Sequence, residues 1–124
     1  ECDRMQPLVV PVRRGIEQFQ RILSTLARVE LNDGLTLRQL VDEAGNRLPR
    51  NTTVVAILGA VSMETAVVLG SLRRQGYAIT AVLVLFREEA ADEGHARLAA
   101  EGIDVRRVSD EASLTVLCQS QMLR

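Results

Sequence analysis

His95 is the only histidine in this 124-residue chain, and the carboxylates Glu88, Asp92 and Glu101 are its acidic neighbours in sequence. An imidazole beside a carboxylate can serve as a general base. With a second His or a Cys close by it can also hold zinc. Neither stands near His95, so the metal arithmetic fails, and a solvated position in mid-helix is the plainer reading.

The second place where chemistry could occur is the turn Gly59-Ala60-Val61-Ser62. It follows an apolar run and opens a helical pattern, and open α/β sheets bind ligands at the carboxyl ends of their strands. Free amides at a helix start attract anions, which makes Gly59, Ala60 and Ser62 a weak anion-site candidate. The turn lacks both the GxGxxG and the GxxxxGK[ST] glycine patterns. A Ser62 hydroxyl capping the first-turn amides accounts for the same residues. No Gly-x-Ser-x-Gly elbow is present to make Ser62 a nucleophile.

Carboxylates cluster at Glu88-Glu89, at Asp92-Glu93 and at Asp110-Glu111. All fall at or near helix starts, where negative charge favours the dipole, so they read as caps and surface. No metal ligand set and no cofactor are expected. Arg13 and Arg14, joined by Arg21 and Arg28, form the nearest approach to a basic patch. They could meet an acidic protein surface, and they equally suit a solvated helix face. Cys2 and Cys118 lie near opposite ends, outside any CxxC or Cys/His cluster, so a reduced intracellular setting is expected.

Such residues need elements to hold them. Leu8 to Val12 is a short apolar run containing Pro11, which predicts an edge strand over 8–12. Ile16, Phe19, Ile22, Leu23, Leu26 and Ala27 recur at helical spacing, predicting an amphipathic helix over 15–29. Thr36 with Gln39 three residues later forms a capping box for a second helix. From residue 53 onward the pattern alternates. TVVAIL over 53–58 reads as a strand buried on both faces. A helix follows Ser62 with Ala66, Val67, Leu69 and Leu72 as its stripe, ended by Arg73, Arg74 and Gly76. YAITAVLVLF over 77–86 is a second strand, followed by a helix over 90–101 that Gly102 stops. A polar edge strand spans 104–108, and Ser109-Asp110 cap a last helix carrying Ala112, Val116, Leu117 and Met122.

This β-α-β-α-β-α order requires parallel crossovers, so the fold class is α/β, an open and mainly parallel sheet flanked by helices. Residues 1–124 are expected to form one partial domain. Strand 53–58 looks interior, yet the chain has few strands to cover its far side. Either segment 8–12 fills that place or the edge drives self-association.

Composition removes several functions. Aromatic residues are 2% of the chain, namely Phe19, Phe86 and Tyr77, so there is no base-stacking platform for nucleic acid. Fifteen arginines, no lysine and 16 acidic residues leave a net charge of −1 with no concentrated basic footprint. Apolar residues make up 47%, enough for a core of Val, Leu, Ile and Ala, but no apolar run is long enough to span a membrane. The chain starts at Glu1, which suggests a trimmed or excised piece.

The stretch Pro11-Val12-Arg13-Arg14-Gly15-Ile16-Glu17-Gln18-Phe19, with Ile22-Leu23 and Leu26-Ala27-Arg28 behind it, resembles a recurring segment of a bacterial family. That family is catalogued as domain of unknown function fifty-eight, and its members resemble von Willebrand factor A (vWA) domains. Leu48-Pro49-Arg50, the run TVVAIL, Leu72-Arg73-Arg74-Gln75-Gly76-Tyr77 and Gly102-Ile103-Asp104-Val105 fit the later pattern in order and spacing. The resemblance covers nearly the whole chain but only the second half of the family's domain.

The resemblance implies an incomplete vWA-like or Rossmann-like fold on the cytoplasmic side of a bacterial membrane protein, with transmembrane helices upstream. It implies protein partners, among them a MoxR-type AAA+ ATPase, in the assembly of other proteins. The family's Asp-x-Ser-x-Ser metal motif is absent here. Gly59-Ala60 stand where its late Asp would be, so no metal ligand carries over. Two functions remain open: a non-catalytic protein-interaction module, and a small-ligand or nucleotide-binding domain using the Gly59–Ser62 turn.

Overall fold

The computed structural model describes residues 9–29 and 34–119. The chain divides into two compact units, Glu1–Gly45 and Asn46–Arg124. In the first unit, helix α1 spans Ile16–Ala27. Its apolar stripe is as expected in spacing, but Ile16, Phe19, Leu23 and Leu26 are all exposed. Helix α2, Leu37–Ala44, begins with the expected capping box. The Gln39 amide donates to the Thr36 hydroxyl at 3.2 Å and the Thr36 amide donates to Gln39 Oε1 at 2.9 Å.

The expected strand over 8–12 does not form in residues 9–12, which are irregular, while Leu8 lies outside the described residues. Pro11 has no N–H to give a ladder. Its carbonyl is taken instead by the side-chain amide of Gln18.

The second unit is the α/β sheet. Strand β1 (Thr53–Leu58) leads to helix α3 (Met63–Arg74), then β2 (Ala78–Val84), α4 (Glu88–Ala100), β3 (Asp104–Val108) and α5 (Glu111–Gln119). The strand order is β1-β2-β3, and both pairings are parallel. Opposed pairs share a face, so Ala56, Ala81 and Val105 look one way while Ile57, Val82 and Arg106 look the other.

Helix α4 packs on the Leu83 face, because Gly94 lies against Val61 and the Leu83 side chain. Helix α3 runs beside α4. Their approach depends on Gly70, where an added Cβ would overlap the Glu101 carboxylate. Glu101 also accepts from Arg74 at 3.0 Å. Gly102 ends α4 at φ +74°, and the Arg73 guanidinium fills the space against it. On the opposite face, Leu117 of α5 packs with Val82 and Val108.

Three expectations need correction. Strand 53–58 is not buried on both faces: it is the edge of the sheet, and only Ala56 is fully buried. A continuous apolar run cannot distinguish a strand with two neighbours from one with a single neighbour. In α3, Val68 turns inward and Val67 outward, because the buried face runs through Ala66, Leu69 and Leu72. In α5, Leu117 alone is buried, Ala112 and Val116 are exposed, and Met122 lies outside the described residues.

Leu83→Ala should cost roughly 2–5 kcal/mol, as expected where a large buried side chain leaves a cavity. Ile57→Ala at low protein concentration should cost less than about 1 kcal/mol, since that side chain is exposed. Urea unfolding of both variants checks this pair; equal losses would mean that the outer face of β1 is covered.

Candidate functional site

The turn after β1 exits the sheet at its carboxyl end, where an edge strand hands the chain to α3. Val61 is buried and the residues around it are held from two sides. Its carbonyl accepts from Arg97 Nη1 at 2.7 Å, and its side chain lies against Gly94. Arg97 is fixed in turn by Glu93 at 2.8 Å, one helical turn earlier in α4. Gly59 has open space where a Cβ would sit, and its backbone needs no left-handed conformation.

Ser62 is the N-cap of α3. Its Oγ accepts from the Thr65 amide at 3.1 Å and lies 3.1 Å from the Thr65 hydroxyl. The cap is therefore supplied by the chain itself. Gly59, Ala60 and Ser62 stand together at the sheet's carboxyl end as the sequence placed them, but the hydroxyl that would greet an anion is already engaged.

His95 differs from the solvated residue expected. It is half-buried, and its Nδ1 accepts from Arg107 Nε at 3.1 Å. Arg107 on β3 also donates to Asp92 at 2.6 Å. Three residues from α4 and β3 thus form one surface cluster, Asp92–Arg107–His95. Sequence reasoning placed Asp92 near His95 and missed Arg107. The signal available was a cation on the neighbouring strand, which becomes visible only once the β3 register is known. Glu101, another of its acidic neighbours in sequence, turns away to Arg74.

Two of the acidic pairs, Glu88-Glu89 and Asp110-Glu111, behave as helix-start groups, whereas Asp92 and Glu93 lie inside α4 and pair with Arg107 and Arg97. Glu88 and Glu89 occupy the first turn of α4. The Asp110 carboxylate accepts from the Ser113 amide at 2.7 Å, while the Asp110 amide donates back to Ser113 Oγ at 3.1 Å. That backbone bond first, and the Ser113 hydroxyl second, hold the Asp110 carboxyl below its ordinary value. Arg13 and Arg14 are exposed ahead of α1, and Arg28 donates to the Ser24 carbonyl at 3.3 Å. Cys118 is an exposed free thiol. Among the described residues, no three His, Cys, Asp or Glu side chains gather where they could hold a metal ion. No helix among them is long and apolar enough to cross a membrane.

The largest unexplained feature of this unit is apolar. Val55 and Ile57 of β1 share a face with Val82 but keep 49% and 73% of their surface exposed, because α5 covers only the β3 side of that face. Compared with known proteins, the chain matches no family model, no curated protein and no solved structure.

Two substitutions test the caps. Ser62→Ala should destabilise the fold by about 1 kcal/mol, the usual loss for a serine cap, as read by urea unfolding. Asp110 is depressed in the folded state, so its contribution is present at neutral pH and lost as pH falls through the folded value. Asp110→Ala should therefore destabilise at pH 7, and its gap from the parent chain should shrink on titration below about pH 4. A gap independent of pH would remove the ionic part of this account.

Proposed function

We propose that the chain is a non-catalytic protein-interaction module, the later part of a vWA-like domain in a bacterial membrane-associated protein, facing the cytoplasm. Its partner is a protein, in this reading a MoxR-type AAA+ ATPase acting in the assembly of other proteins. The observation that carries the reading is the half-bare sheet face at Val55 and Ile57. Neighbouring apolar side chains left bare on one sheet face are the kind of surface that a protein contact covers. The polar groups support it from the other direction. Asp92 with Arg107, Glu93 with Arg97 and Glu101 with Arg74 are committed to one another in pairs that brace α3, α4 and β3. The order of the motifs around Pro11–Phe19 and Leu72–Tyr77 supplies the family resemblance.

A second reading has its own observation: the Gly59–Ser62 turn lies at the carboxyl end of a parallel strand and opens α3, the usual location of small-ligand sites in such sheets. Ser62's engagement with Thr65 weighs against it.

Binding of the purified chain to a purified MoxR-type ATPase, followed by biolayer interferometry, tests the first reading. Ile57→Glu should weaken that binding by about tenfold or more, since it buries a carboxylate without a partner. Binding that ignores Ile57→Glu, or no binding at all, would reject it. A thermal-shift screen with nucleotides separates the second: a rise of several degrees, abolished by changing Gly59, would install ligand binding in its place.

A further inference from the structure

The two edges of the sheet are treated differently by the sequence. β3 carries Asp104, Arg106 and Arg107, with Arg106 paired to Asp104 at 3.3 Å and Arg107 to Asp92. Charges of this kind discourage a second sheet from adding to an edge. β1, the other edge, reads TVVAIL: no charge, no proline and no break in its pairing to β2 across six residues. Among the described residues, no strand pairs with its outward backbone groups.

We infer that β1 is a homodimer interface, pairing antiparallel with β1 of a second copy across a twofold axis perpendicular to the sheet. This deepens the interaction-module reading, but uses the strand's edge rather than the face proposed for the ATPase. Two observations favour a second copy. With the axis at Val55, Val55 faces itself, Thr53 faces Ile57 and Val54 faces Ala56, so every opposed pair is uncharged and the Thr53–Ile57 and Val55 pairs are β-branched, the type that stabilises strand pairing. The same axis keeps Val55 and Ile57 of both copies on one face, joining two small apolar stripes into one. The product is a six-stranded sheet with the guarded β3 strands outermost.

Isologous twofold contacts are the commonest form of self-association. So short an edge pair, Thr53 to Ile57 of each copy, buries less than the roughly 1,200 Å² of a stable specific interface, so the dimer is a weak one, in the micromolar range.

Sedimentation velocity on the full 124-residue chain, from low micromolar to millimolar concentration and without any ATPase, provides the test. A monomer–dimer equilibrium is expected, weakened by about tenfold or more in Val55→Lys, which sets like charges against each other at the axis. The register is read separately in a background carrying Cys2→Ser and Cys118→Ser. There Val55→Cys should give a disulfide-linked dimer under mild oxidation, because directly opposed strand residues approach disulfide distance. Thr53→Cys, opposite Ile57, should not. A monomer at every concentration overturns the inference, and slow amide exchange along β1 in that monomer would assign the edge to a segment of the same chain. A dimer indifferent to Val55→Lys, or equal cross-linking at both positions, overturns it as well. Because no ATPase is present, failure here and failure of the ATPase contact are separate results.

Discussion

A strand with neighbours on both sides must satisfy its backbone along two edges and its side chains on two faces, and β2 is the strand in this chain that meets all four demands. It pairs with β1 along Thr53–Leu58 and with β3 along Asp104–Val108. Ala81 and Leu83 are nearly inaccessible on one face, and Val82 is buried on the other. Helices pack on it from both faces: α4 rests on Leu83, and α5 reaches Val82 through Leu117. Its composition follows from that burden. β-Branched and small residues fit a strand covered on both sides, where a charge would have no partner.

The amount of covering falls away from β2 in both directions, and the two edges respond differently. β3 meets water with charged side chains that find ionic partners. β1 keeps an apolar sequence although one face is half covered and, among the described residues, no strand pairs with its outer edge. The same contrast appears in the polar groups. Arg74, Arg97 and Arg107 each tie a helix to a neighbouring element or to an adjacent turn, through Glu101, through Val61 and Glu93, and through Asp92 and His95. The exposed pairs among these contribute little each. Their value is positional, since they fix where the turn after β1 and the ends of α3 and α4 lie.

Much of this was legible in the sequence because the signals were local. The capping box at Thr36–Gln39, the Ser62 cap, the Asp110 cap and the glycine stop at Gly102 each depend on residues within one helical turn. The alternation from 53 onward gave the parallel α/β order because crossover lengths leave no other pairing. What failed was non-local. TVVAIL looks the same in the middle of a sheet and at its edge, so the exposure of Val55 and Ile57 could not be read from it. Val67 and Val68 are adjacent and alike, and only the rotation of α3 against the sheet decides which is buried. Arg107 could not be joined to His95 without the register of β3. The strand expected at 8–12 was a propensity argument that the Pro11 carbonyl and Gln18 resolved in favour of an irregular segment.

The glycine at position 70 has a wider reach than its size suggests. The Glu101 side chain occupies the volume that any larger residue there would claim, and it stays in that place through Arg74. Positions 70 and 101 therefore share a single allotment of space between two helices. A side chain gained at position 70 would first turn the Glu101 carboxylate aside, so the loss would fall on its bond to Arg74 before it fell on the packing of the two helices.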